Sequence, residues 1–262
     1  MFTKSIKFIP FLLFFLAIET TVSGQNNVLT LNDSTLNLAV ADTNSYLKNL
    51  KAEMELQWPK NRTINIIFHG HSVPSGYFQT PTVNTLASYP FLVLKKIKEL
   101  YPYAVVNVII TSIGGDNSEK GAARFESDVL IHKPDLIFID YGLNDRYIGL
   151  ERAYKAWSQM INKSMEKGIK VILLTPSPDV KLNLLDSQNE LNKHTEQIRK
   201  LAAENHIGLT DSYKAFSFLY SDKTELDKYM AQVNHPNEKG HELIANEIMK
   251  WFRFVNVSDS KQ

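Results

Sequence analysis

Cysteine is missing from all 262 residues. Disulfide scaffolds, zinc ribbons, iron–sulfur clusters and cysteine nucleophiles each need a thiol, so all are excluded. Glycine and proline are scarce, at 11 and 10 residues, which removes collagen-like and linker-like chains. An excess of one charge is missing too: 29 Lys and Arg oppose 28 Asp and Glu, a formal net charge of +1. That balance gives no electrostatic basis for binding nucleic acid or an anionic membrane surface. With 44% of residues apolar, the chain is too hydrophobic for disorder and of a size that one core can serve.

The one long apolar run lies at the start. Lys4 and Lys7 precede the uncharged stretch Phe8–Ile18, and the small residues Val22, Ser23 and Gly24 follow. That order is the n-region, h-region and cleavage site of a secretory signal peptide, and the run is too short to span a bilayer. Residues 1–24 are therefore expected to be removed near Gly24/Gln25, leaving no stable membrane insertion. Without a cysteine after the run, a lipid anchor is excluded. The expected location is a bacterial periplasm or the extracellular medium. Residues 25–58 read as an N-terminal extension, polar as far as Thr43. A short helix capped by Asp42 or Thr43 would then end near Trp58-Pro59.

From residue 59 to 262 the pattern becomes regular. Residues 63–68, 105–111, 136–140 and 170–174 are short, rich in β-branched residues and almost continuously apolar, as strands buried on both faces are. A weaker fifth strand is expected at 208–210. Between them run helical stripes: Phe91, Leu94, Ile97 and Leu100; Phe125, Val129 and Ile131; Tyr154, Trp157, Ile161 and Met165, closed by Gly168; Leu191, His194, Ile198 and Leu201; and Leu243, Ile244, Ile248 and Trp251. Strands alternating with helices predict one α/β domain, a doubly wound parallel sheet of about five strands.

Ligands of such sheets sit beyond the carboxyl ends of the strands. Four polar segments interrupt the pattern there: His69–Tyr77 after the first strand, Ser112–Ser118 after the second, Tyr141–Arg146 after the third, and Asn234–His241 before the last helix. A hydroxyl, a glycine amide, an asparagine amide and an imidazole at one sheet edge are what acyl transfer needs: a nucleophile, a base, and donors aimed at the developing oxyanion.

These segments resemble, in order, the four blocks of the SGNH (GDSL-type) hydrolase superfamily. Gly70-His71-Ser72-Val73 stands where that family has Gly-Asp-Ser-Leu; Gly115-Asp116-Asn117-Ser118 resembles the second block, Gly142-Leu143-Asn144-Asp145 the third, and His235-Pro236-Asn237 the last. The resemblance implies a flavodoxin-like three-layer α/β/α sandwich with Ser72 as nucleophile and His235 as general base. It gives Gly115 and Asn144 as oxyanion donors and calls for no metal or organic cofactor. It also implies a small-molecule or glycan ester as substrate, most simply the O-acetyl groups of carbohydrate. Oligomeric state is not legible.

Two departures stand out. His71 replaces the aspartate before the nucleophile. Gln232 stands three residues before His235, where the family carries an aspartate that stabilises the imidazolium. Either a backbone carbonyl orients His235, giving a Ser–His dyad, or a carboxylate such as Asp227 or Glu238 folds in. Two other readings compete. His69-x-His71, with His235 and His241, could ligate a metal for a metal-dependent hydrolase, although no helical HExxH pair is present. Or the fold could serve a non-catalytic carbohydrate-binding protein of the cell envelope. Tyr77, Phe78, Tyr147 and Trp157 could line an acyl or sugar site. Arg146 could bind a carboxylate or pair with Asp145 or Glu151, and Thr175–Asp179 is expected to form a rim loop.

Overall fold

The computed structural model describes residues 38–220 and 223–253, with no side-chain description at 223 and 224. The expected signal segment lies outside the described residues. No described helix is long and apolar enough to cross a membrane.

Five parallel strands form the sheet: β1 (Thr63–Gly70), β2 (Val105–Ile110), β3 (Leu136–Asp140), β4 (Lys170–Leu174) and β5 (Gly208–Thr210), in the order β2-β1-β3-β4-β5. The chain starts in β1, runs outward to β2 and then returns to β3, so strand order reverses between β1 and β3. Successive side chains of a strand face opposite ways, and both faces are covered. Phe138 enters one core with Phe68 and Leu136, whereas Ile137 and Ile139 enter the other with Ile67 and Leu173.

The first core is closed by α1 (Lys48–Met54), α3 (Tyr89–Leu100), α9 (Ser212–Leu219) and α11 (Glu238–Met249). The second lies under α4 (Ser118–Ala123), α5 (Phe125–Asp128), α7 (Leu150–Glu166) and most of α8 (Glu190–Glu204). Helices on both faces of a parallel sheet make the three-layer α/β/α sandwich. Three short helices, α2 (Ser72–Ser75), α6 (Gly142–Asp145) and α10 (Lys223–Asp227), and a small hairpin of β6 (Met230–Gln232) with β7 (His235–Pro236) complete the site-bearing edge.

Several helix faces differ from expectation. Helix α3 buries Tyr89, Val93 and Ile97, while Leu100 is exposed, because apolar residues lie on two sides of this helix and the aromatic side faces the sheet. Ile131 is exposed in a 3-10 turn beyond α5. In α7 the buried face is Ala153, Ala156, Trp157, Met160 and Ile161, leaving Tyr154 and Met165 outside. The stripe Leu191, His194, Ile198 and Leu201 is buried throughout. The short helix of the extension spans Lys48–Met54 and puts Leu50 and Met54 into the first core; it ends before Trp58. Its N-cap is Leu47, and Asp42 instead holds the preceding turn through the Asn44 and Ser45 amides.

Candidate active site

Ser72 begins α2 directly beyond β1. Gly70 is needed there because a Cβ would stand 2.4 Å from the Asp140 carbonyl oxygen, and the β1 and β3 ends could not approach so closely. His71 caps the short helix, its Nδ1 accepting from the Val73 amide at 3.2 Å. Ser72 Oγ lies 2.8 Å from His235 Nε2, and both residues are buried to 7% exposure. The hydroxyl and imidazole are thus brought together from positions 163 residues apart.

His235 reaches the serine because β7 pairs with β6 and because Asn237 caps α11, accepting from the Lys239 and Gly240 amides. Behind the ring, Nδ1 is 3.0 Å from the Phe78 carbonyl oxygen and 2.7 Å from Gln232 Nε2. Asp227 is exposed, and Glu238 accepts at 3.5 Å from Asn84, so the expectation that one of them folds onto His235 is not met. The groups in place behind the ring are the Phe78 main-chain carbonyl and the Gln232 amide. Burial holds the His235 pKa below the usual imidazole value; the Phe78 carbonyl opposes that by favouring a protonated Nδ1.

Gln232 is held by Thr80, whose amide donates to Oε1 at 3.0 Å and whose Oγ1 accepts from Nε2 at 3.3 Å. That orientation turns the amide N–H toward the ring and suits a bare Nδ1. A ring able to take the serine proton needs the opposite tautomer, with Nδ1–H donating to Phe78. Gln232 and Phe78 therefore favour different tautomers of the same imidazole.

Gly115 sits beyond β2 at φ +79°, a left-handed turn that glycine enters without penalty, and the space where a Cβ would stand is open for 4 Å around. Asn144 lies in α6 beyond β3, its Nδ2 donating to the Asp116 carbonyl oxygen at 2.8 Å. One amide hydrogen is spent there, fixing the plane of the group and leaving the second available to a ligand. Asp145 is buried, accepts from the Ser118 amide at 2.7 Å and from Trp157 Nε1 at 2.6 Å, and is pushed up to about 6 by burial. It ties the loop after β2 to the turn after β3. Neither this role nor the Phe78 carbonyl is legible in the sequence.

The competing metal reading finds no ligand set at these histidines. His69 is buried between Thr111 Oγ1, the Gly121 carbonyl oxygen and Tyr141, and burial pulls its pKa down to about 4. His71 faces the other layer, its Nε2 3.3 Å from Asp140 Oδ1. His241 accepts from the Tyr89 amide and stacks on Phe78. Among the described residues no three His, Asp or Glu side chains converge as metal ligands would. Two further expectations change: Trp157 belongs to the core and does not line the site, and Arg146 pairs with Asp179 at 2.8 Å, not with Asp145 or Glu151. Residues 175–179 form an irregular segment after β4, as expected, and are buried, with Asp179 lining the adjacent cleft. Tyr77 lies beside the site, its ring centroid 6.1 Å from that of His235, and Tyr147 is 74% exposed.

A cleft of about 740 Å³ opens beside these residues, bounded by Arg146 and Tyr147 after α6, Asp179 and Leu182 after β4, and Val233 and Asn234 just before His235. Its size falls within the ~300–1,000 Å³ of small-molecule sites.

Comparison with known proteins gives a consistent picture. The GDSL-like lipase/acylhydrolase family model matches residues 68–243. An acetylxylan esterase of Geobacillus stearothermophilus is 22% identical over 201 residues, covering 71% of this chain and 89% of the relative. Among solved structures, an acetyl xylan esterase is similar with a TM-score of 0.60 and 25% identity, covering 71% of this chain and 98% of that one. A two-domain esterase active on acetylated mannans has a TM-score of 0.65 at 21% identity, covering 83% of this chain and 55% of that one.

Proposed function

This chain belongs to the GDSL-like lipase/acylhydrolase family, and on that premise we propose that it is an exported serine esterase removing short acyl groups, acetyl foremost, from carbohydrate. The observation that carries the reading is the 2.8 Å pair of Ser72 Oγ and His235 Nε2 at the strand-order reversal of the sheet. His235 accepts the Ser72 proton while its Nδ1–H donates to the Phe78 carbonyl. Ser72 Oγ then attacks the ester carbon. The oxyanion is met by the Ser72 and Gly115 amides and by the free hydrogen of the Asn144 amide. His235 returns the proton to the leaving alcohol, and an acyl-enzyme remains. Water, deprotonated by His235, attacks the acyl carbon, and collapse of the second tetrahedral intermediate releases the acid and frees Ser72.

Support for a carbohydrate ester comes from the relatives, several of which act on acetylated xylan or mannan. Support for export comes from the charge and hydropathy order of residues 1–24.

The test is hydrolysis of acetylated oligosaccharides and of p-nitrophenyl esters of rising chain length by wild type and Ser72→Ala. We expect acetate release that Ser72→Ala abolishes. A preference for acyl chains of about eight carbons or more would sink the deacetylase reading, since each buried CH₂ is worth roughly 0.8 kcal/mol to an apolar acyl pocket. Turnover unchanged in Ser72→Ala would sink the serine mechanism. N-terminal sequencing of the secreted protein tests the signal: a mature chain still starting at Met1 would overturn it.

A further inference from the structure

The cleft beside the site contains a feature that the chemistry at Ser72 does not use. Arg146 and Asp179 form an ion pair whose side chains are only 12% and 9% exposed, with Nη2 2.8 Å from Oδ2. The same Nη2 donates to the Tyr147 hydroxyl at 3.1 Å, and the guanidinium carbon lies 5.0 Å from the centre of the Tyr147 ring. Asp179 Oδ1 accepts from the Lys181 amide at 3.0 Å. The buried Arg146 Nε has no hydrogen-bond partner. Taking two charges out of water is repaid only when their remaining donors and acceptors are also satisfied, and this pair leaves some unfilled.

Position sets which part of an ester would lie here. The leaving oxygen takes its proton from His235, so the alcohol half of the substrate must face that ring. Val233 and Asn234, immediately before His235, line the cleft, as does Arg146, two residues after Asn144. An alcohol half leaving on the His235 side would lie toward this cleft.

Charge sets its class. The lining carries Arg146 and Lys181 against Asp179 and Glu190, so its formal charges cancel. An anionic ligand would meet the Asp179 carboxylate, and a cation would meet Arg146. An acyl chain would offer no hydrogen bond to either member of the pair. Neighbouring hydroxyls on a ring donate and accept at once, so they can serve both members of the pair. Tyr147, 74% exposed as a residue and braced on its ring by Arg146, offers an apolar surface for the C–H face of the same ring.

We propose that the Arg146–Asp179 pair and the Tyr147 ring form a subsite for a neutral sugar ring on the alcohol side of the scissile ester. The proposal rests on the esterase reading above but is tested apart from it. Unacetylated xylotetraose and mannotetraose are titrated into wild type, Tyr147→Ala, Tyr147→Phe and Arg146→Lys by calorimetry, with folding checked by circular dichroism. We expect one of the two sugars to bind wild type, Tyr147→Ala and Arg146→Lys to weaken it by about tenfold, and Tyr147→Phe to recover most of the loss. Neither sugar binding, or folded variants binding as wild type does, overturns the subsite. An oligogalacturonate binding more tightly than both neutral sugars overturns the assigned class. In a second arm, the ratio of kcat/KM on an acetylated oligosaccharide to that on p-nitrophenyl acetate falls in Tyr147→Ala; an unchanged ratio counts against the subsite. If wild type hydrolyses no ester, the esterase reading fails while the calorimetry still decides the subsite.

Discussion

Two imidazoles flank the Ser72 hydroxyl, and they are furnished in opposite ways. His235 stands at 2.8 Å with a carbonyl and an amide behind it and no carboxylate. His71 stands at 3.4 Å and has a carboxylate behind it: Asp140 lies 3.3 Å from its Nε2 and also accepts from the Tyr89 hydroxyl at 2.9 Å. A search for the ring next to an aspartate would choose His71. On the mechanism proposed above the base is His235, because the His71 Nδ1 lone pair is already spent on the Val73 amide. A carboxylate beside an imidazole can thus fix a helix cap as readily as it can raise a base. What marks the base is an uncommitted ring nitrogen on the nucleophile.

The contrast between the two rings is exposed first at the base itself. His235→Ala is expected to lower kcat on p-nitrophenyl acetate by about 10⁴–10⁶, with the Ser72→Ala/His235→Ala double variant hardly worse than either single one. If the folded His71→Asn variant loses as much turnover, the two rings have been assigned the wrong way round. Asn144→Ala should cost about 10²–10³ in kcat with KM little changed. A pure KM effect would make Asn144 a substrate-binding group only.

Gln232→Asp gives His235 what His71 already has. Burial depresses the His235 pKa, so the neutral, reactive ring prevails above that midpoint and kcat/KM falls as pH drops through it, below 6.5 in wild type. A carboxylate facing Nδ1 favours the protonated ring and the productive tautomer. The acid limb should therefore move up in pH, with a higher plateau. An unmoved limb would mean that Gln232 has no electrostatic say at Nδ1. The smallest effect belongs to the other ring. His71→Ala uncaps Val73 and strips Asp140 of its imidazole, and urea melts should show a loss of about 1–3 kcal/mol. His71→Asn, whose side-chain oxygen can still cap, should lose less.

Strand positions were legible because residues such as Leu136–Ile139 are apolar on both faces, and only a covered parallel sheet uses four in a row. Helix faces were less so: α3 carries apolar residues on two sides, and sequence spacing does not say that Tyr89 will reach across to Asp140. The polar interruptions at one sheet edge marked the segments that carry Ser72, Asn144 and His235, and the resemblance to the SGNH blocks singled out those residues within them. Arg146 could be noticed but not paired, since Asp179 meets it only after a whole strand–helix unit has folded. Phe78 could be noticed only for its ring, and a backbone carbonyl behind His235 could be anticipated but not assigned, because every residue has one.

That oxygen has an evolutionary consequence. A side-chain aspartate behind the base can be lost through one codon change, but no substitution deletes a carbonyl from the backbone. What mutation can do is move it. The Phe78 ring stacks on His241, and burial depresses that imidazole to about 3, so it stays uncharged and apolar in character at any ordinary pH. On the proposed mechanism, the ring at 241 supports the base indirectly, by packing on the residue whose carbonyl faces Nδ1. Variation there would be read out in the proton transfer at Ser72.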